Sequence, residues 1–176
     1  MRTVFVALGA LMLASCSGGG DDLAETQAEN VATVEALYAS FAAGDVPAFV
    51  GILSEDIVWN EAENFPYADG NPYIGPDAVL EGVIGPVVAE WDYWNVVVED
   101  IMPSGDDRVI ATGRYEARNT ANGAEISAQV AHFFTVEDGR ITEFQQYADT
   151  YQVRMAVGAE AEAEEPEALM SDDPTE

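Results

Sequence analysis

The chemistry open to this 176-residue chain rests on few side chains. One His (His132), one Cys (Cys16) and six Arg with no Lys stand against 33 Asp and Glu. A single imidazole rules out multi-His metal sites, and a single thiol rules out an intrachain disulfide. No phosphate loop, dinucleotide fingerprint or Ser-His-Asp set is present, and Asp69-Gly70-Asn71 lacks the spacing of a calcium loop. No metal and no other cofactor is therefore expected. What remains can move a proton or hold a polar group. His132 lies in an apolar strand pattern, either as a satisfied structural group or as a ligand contact. Asp149, with Tyr147 and Tyr151 on the same expected strand face, reads as a sheet-edge anchor or a functional carboxylate. Trp59, Trp91 and Trp94 are large enough to be core or the wall of an apolar pocket.

The elements that must position these residues fit one domain. The net charge of −27 repels phosphate backbones, so nucleic acid is not an expected partner. At 48% hydrophobic and 10% aromatic, the chain can still build a packed core. Val31, Val34, Tyr38 and Phe41 recur at helical spacing, and Gly44 ends that helix. Asp45 caps a second helix with Pro47 in its first turn, and Ile57-Val58-Trp59-Asn60 reads as a strand. Glu61 to Gly75 reads as a long loop, the kind that forms a lid or rim. A third helix follows from Gly75-Pro76-Asp77 to about Ile84, where Gly85-Pro86 interrupts it. From Asp92 onward four strand-like segments alternate with turns: Tyr93 to Met102, Arg108 to Arg118, Ala124 to Val136 and Arg140 to Tyr151. Asn122-Gly123 and Asp138-Gly139 are strong hairpin dipeptides. Helices first and a strand meander after reads as α+β. Large apolar groups fall on both faces of Ile126 to Val136, so sheet-to-sheet pairing into a homodimer is expected.

The two ends are set apart. Met1-Arg2 precedes an apolar run from Val4 to Ala14, too short to span a membrane and suited to a secretory signal. Leu13-Ala14-Ser15-Cys16 resembles the bacterial lipoprotein box, which implies a signal peptide over 1–16 and lipidation of Cys16. The bland alternative is an ordinary signal with a chance cysteine. Residues 17–29, opening with Ser17-Gly18-Gly19-Gly20, read as a flexible tether, with acyl chains as the link to the membrane. Ser17 in place of Asp favours the outer membrane, so the expected location is the bacterial envelope, facing the periplasm. Residues 159–176 carry eight acidic side chains and two prolines and read as a disordered tail.

Between these ends, over 30–158, the chain resembles the nuclear transport factor 2-like superfamily, in its SnoaL-like and ketosteroid isomerase-like branch. The carriers are Tyr38-Ala-Ser-Phe41-Ala-Ala-Gly44-Asp45, Leu53-Ser-Glu-Asp56-Ile-Val-Trp59, Asn71-Pro72-Tyr73-Ile-Gly75, His132-Phe133-Phe134, and Gln146-Tyr147-Ala148-Asp149. The resemblance implies a cone in which a curved antiparallel sheet wraps N-terminal helices around a deep, mostly apolar pocket. It places Glu61 where the isomerase branch keeps its carboxylate base. A carboxylate shielded by Trp59 and Phe65 would bind its proton more tightly and could shuttle it. It places Leu37 and Ala131 where that branch keeps two oxyanion donors, and Gln146 where SnoaL-like cyclases keep an acid/base Asp. These departures argue against the branch's usual chemistry.

The expected function is therefore binding of a small hydrophobic molecule by a lipid-anchored envelope protein. Tyr38, Trp59, Phe65, Trp91, Phe133 and Gln146 are the expected pocket residues. Two alternatives stand beside it. One is an acid/base enzyme, an isomerase or dehydratase, with Glu61 as base and His132 or Asp149 assisting; the other is a non-catalytic dimeric interaction module.

Overall fold

Apolar spacing produces α1 (Gly18–Ala43), which buries Val34 and Leu37 and leans Val31, Tyr38 and Phe41 on the core. The computed structural model describes residues 18–158, so Cys16 with the signal segment and the stretch 159–176 lie outside the described residues. The segment expected as a tether is helical from Gly18 onward. Its Leu, Ala, Glu and Gln are good helix formers, and Asp21 sits favourably in the first turn. Tertiary anchors add to this. The Gln27 amide donates to the Gly105 carbonyl (2.7 Å) and the Asn30 amide to the Asp106 carbonyl (2.9 Å).

Gly44 ends α1 at φ 66°, and Asp45 caps α2 (Val46–Ile52) by accepting from the Ala48 N–H at 3.1 Å. Strand β1 (Leu53–Asn60) follows directly and is longer than its sequence signal. The long loop after it is closed early by β2 (Tyr73–Ile74), which pairs with Val58 and Trp59. Gly85-Pro86 does not break the next helix. The chain runs through α3 (Pro76–Val79), a wide π turn (Leu80–Ile84) and α4 (Gly85–Glu90) without a gap. The reason lies in Pro86, whose ring crowds the Gly82 carbonyl four residues back and which offers no N–H to it. Widening the turn relieves the clash, and the freed Gly82 carbonyl meets the Tyr73 hydroxyl at 3.5 Å.

The second half is β3 (Trp91–Ser104), β4 (Arg108–Asn119), β5 (Glu125–Glu137) and β6 (Arg140–Ala148). Sheet order is β2-β1-β6-β5-β4-β3. The sheet is mixed, which corrects the expectation of an antiparallel one: β1 runs parallel to β6, with Trp59 opposite Phe144. The β3–β4 ladder shifts register between Val98 and Asp100, next to Gly113. A Cβ at Gly113 would stand 2.1 Å from the Val97 carbonyl oxygen, so only glycine lets the strands approach there. Such an irregularity bends the sheet around the helices.

The last strand is shorter than expected. It ends at Ala148, and Asp149 caps α5 (Thr150–Val157), accepting from the Gln152 N–H (3.4 Å) and side-chain amide (2.6 Å). Tyr147 and Tyr151 are therefore not partners of Asp149 on one strand; both are largely exposed. Along β5, Ile126, Ala128, Val130, His132, Phe134 and Val136 face inward and are buried. Phe133 faces outward, 38% exposed, and meets the Tyr147 ring edge-on at 5.4 Å. Helices α1 to α4 cover the inner face, and the space between is the site.

Candidate functional site

Glu61 is the first residue after β1, and two amide side chains hold its backbone. The Glu61 N–H donates to Asn71 Oδ1 (3.0 Å) while Asn71 Nδ2 donates back to the Glu61 carbonyl (2.8 Å). The next N–H, of Ala62, donates to Gln146 Oε1 on β6 at 3.1 Å. So fixed, the carboxyl points inward and is only 3% exposed. The Trp59 indole N–H donates to Oε1 at 2.6 Å, and Oε2 is buried with no hydrogen-bond partner. Desolvation raises its pKa to about 7, against a smaller opposing effect of the Trp59 hydrogen bond.

Beside it runs a buried polar chain. The Tyr38 hydroxyl lies 2.7 Å from His132 Nδ1, the Tyr115 hydroxyl 2.6 Å from His132 Nε2, and Gln146 Nε2 donates to the Tyr115 oxygen at 2.9 Å. Burial pushes His132 down to about 3, so the ring is neutral near neutral pH. A neutral imidazole has one N–H and one bare nitrogen. One of its two links is thus donated by the ring and the other by a phenol. The second phenol keeps its own O–H unspent. Burial moves both tyrosines above their ordinary pKa, so they stay protonated. Whichever tautomer forms, one phenolic proton is left for an occupant of the cavity.

That cavity is about 60 Å³ and lies between α1, the π turn and the sheet. Tyr38, Trp59, Glu61, Phe65, His132 and Gln146 all line it. Trp59 stacks on Phe144 with centroids 3.7 Å apart, forming one flat wall. Three expected residues are elsewhere. Asp149 is the α5 cap, not a site carboxylate. Phe133 is on the outer face, because neighbours on a strand point to opposite sides and His132 already points in. Trp91 is buried, with its indole N–H on the Tyr67 hydroxyl at 2.7 Å, and lines an adjoining groove. Ala131 faces outward for the same parity reason as Phe133, and on α1 it is Tyr38, not Leu37, that reaches the imidazole. The cavity is therefore not short of donors.

Trp94 lines the cavity as a wall, and Tyr115 is a lining residue that the motifs did not single out. The available signal was period two. The alternation that exposes Glu116 sends Tyr115 inward, between Gly113 and Ala117. Among the described residues no cluster of three or more His, Cys, Asp or Glu could hold a metal ion.

The fold and site define a class, and the chain belongs to the SnoaL-like domain family, whose model matches residues 34–144. Among solved structures, an NTF2-like protein from Burkholderia thailandensis E264 is 29% identical, with a TM-score of 0.68 over 73% of this chain and 96% of that one. A candidate SnoaL-like polyketide cyclase from Jannaschia sp. CCS1 is 19% identical, with a TM-score of 0.64 over 76% and 94%. IdmH, a candidate polyketide cyclase from Streptomyces antibioticus, is 21% identical, with a TM-score of 0.63 over 73% and 98%. The last two share the fold. The chain matches no curated protein.

The burial of Glu61 has a measurable consequence. Its folded pKa of about 7 lies above the ordinary 4.5, so the folded state holds the proton more tightly than the unfolded chain. The resulting stability is full below 4.5 and is lost as pH rises towards 7. Glu61→Gln, which keeps an acceptor for the Trp59 N–H, removes this dependence. In urea denaturation, the stability of the variant relative to wild type should improve by about 3 kcal/mol between about pH 4 and about pH 8. A difference independent of pH would mean that the carboxyl titrates as if in water.

Proposed function

We propose that the domain admits a small, largely apolar molecule carrying an oxygen, and that Glu61 exchanges a proton with it. The observation that carries this reading is the buried, unpartnered Glu61 Oε2 beside a phenol with an O–H to give. An orphaned buried carboxylate oxygen costs stability, and a waiting partner accounts for it. A pKa of about 7 populates both the base and the acid at neutral pH. With a ketone bound, the carbonyl oxygen accepts the spare phenolic hydrogen bond. The Glu61 carboxylate then takes a proton from the adjacent carbon, leaving an enolate whose charge that hydrogen bond stabilises. Glu61, now protonated, returns the proton to the same or another carbon. His132 stays neutral throughout and acts as a positioning residue that holds the two phenols.

Binding without turnover is the second reading. It is favoured by the small cavity and by Gln146, which cannot take a proton. Exchange of the methyl protons of acetone in deuterated buffer separates the two. Catalysis predicts exchange above the buffer rate, rising with pH through about 7 as the carboxylate forms. Glu61→Gln should cut it on the order of 100-fold or more. Exchange at the buffer rate with wild-type protein would leave only binding.

We further propose that the chain is anchored in the bacterial envelope by lipid on Cys16. The support is Leu13-Ala14-Ser15-Cys16 behind a short apolar run. Labelled palmitate should be incorporated by the wild-type chain and not by Cys16→Ser; equal labelling would refute the anchor. Two copies are proposed to pair through the outer sheet face, where Phe133 and Tyr147 stand exposed together. Phe133→Glu should convert a dimer to a monomer in sedimentation at micromolar concentration, and a monomeric wild type would refute the pairing.

A further inference from the structure

The cavity at Glu61 does not stand alone. A groove of about 270 Å³ adjoins it, opening between the end of α1, α4 and the start of β3. The two spaces share five walls: Tyr38, Phe41, Val87, Trp94 and Val96. Separately neither accommodates a molecule with both a polar head and an apolar tail. The inner one has the polar groups but only about 60 Å³, whereas a cavity of about 150 Å³ is needed to take even benzene. The outer one has the room, but none of the Glu61, Tyr115, His132 and Gln146 set lines it. Together they reach the lower end of the roughly 300–1,000 Å³ found for small-molecule sites.

We propose that the groove is the second half of the binding site, taking the apolar tail of an uncharged molecule whose hydroxyl or carbonyl head sits at Glu61. This rests on the reading of the inner cavity given above. Two observations set the tail's chemistry. Val88, 70% exposed, and Tyr93, 41% exposed, are groove walls that a tail would cover. The only ionic side chain among the groove walls is Asp92, and it is already engaged by Arg118 at 3.6 Å and by the Thr120 hydroxyl at 3.1 Å. No cation is offered to an anionic tail, and the −27 charge of the chain opposes one. The partition between the two spaces is aromatic. Trp94 stands edge-on to Trp91 and tilted on Tyr115, each at 4.8 Å between centroids, and is half-buried. It is the side chain that a bound tail must pass.

Calorimetric titration of the full chain with acetone and with methyl ketones of increasing chain length tests this. Burying a methylene at full value strengthens binding about fourfold, so Kd should fall by up to about that factor for each carbon added. Val88→Asp, at an exposed helical position, should abolish the gain with length while leaving the Kd of acetone within about twofold. A Kd that ignores chain length, or a gain that survives Val88→Asp, overturns the proposal and spares the inner site. Failure of acetone itself to bind the wild-type chain defeats the inner-site reading, and this inference with it.

Discussion

The structure turns on one carboxyl group placed where water does not reach it. Glu61 leaves β1 with its backbone held by Asn71 and its neighbour Ala62 held by Gln146, which sets the side chain's starting direction towards the interior. Only one of its two oxygens is satisfied, by Trp59. Every other titratable group around the cavity is driven to neutrality by the same desolvation: His132 loses its proton, while Tyr38 and Tyr115 keep theirs. A chain of net charge −27 thus encloses a hollow in which a single group sits near the midpoint of its titration. The charge is a property of the surface, and the chemistry belongs to a few buried atoms.

The polar chain from Tyr38 to Gln146 is also structural. It links α1, β4, β5 and β6 across the interior, and each link is a satisfied buried hydrogen bond. Deleting one member strands its partners, which makes the network a poor target for separating function from folding. Glu61 is the better target because Gln preserves its shape and its contact with Trp59.

Much of this was legible in the sequence, and the failures have physical causes. The apolar spacing of α1, the Gly44-Asp45 boundary and the Asp138-Gly139 hairpin are local signals, and local geometry follows them. Glu61 and Gln146 come forward through the family resemblance, and Tyr38 and His132 through the helix and strand periods, which fix which side chains share a face. Phe133 fails by that same rule, since it neighbours His132 on a strand. Asp149 was ambiguous because a carboxylate at a strand end and one at a helix N-cap have the same local sequence, and only the following turn decides between them. Pro86 misleads because a π turn absorbs it, and a sequence does not announce that wider turn. Tyr115 is silent among small residues, and its partners are distant in the chain. Trp94 was visible as a possible wall, but its place between the two spaces depends on packing against Phe65, Trp91 and Tyr115.

The parallel pairing of β1 with β6 joins strands some eighty residues apart, and pairing at that range carries a loop-closure cost. Until β6 docks, Ala62 has no Gln146 to hold it and Trp59 has no Phe144 to lie upon. Without the final hairpin, Glu61 would lack part of the packing that desolvates it. A chain truncated before β6 would thus carry this acid in a more hydrated setting, with an ordinary grip on its proton.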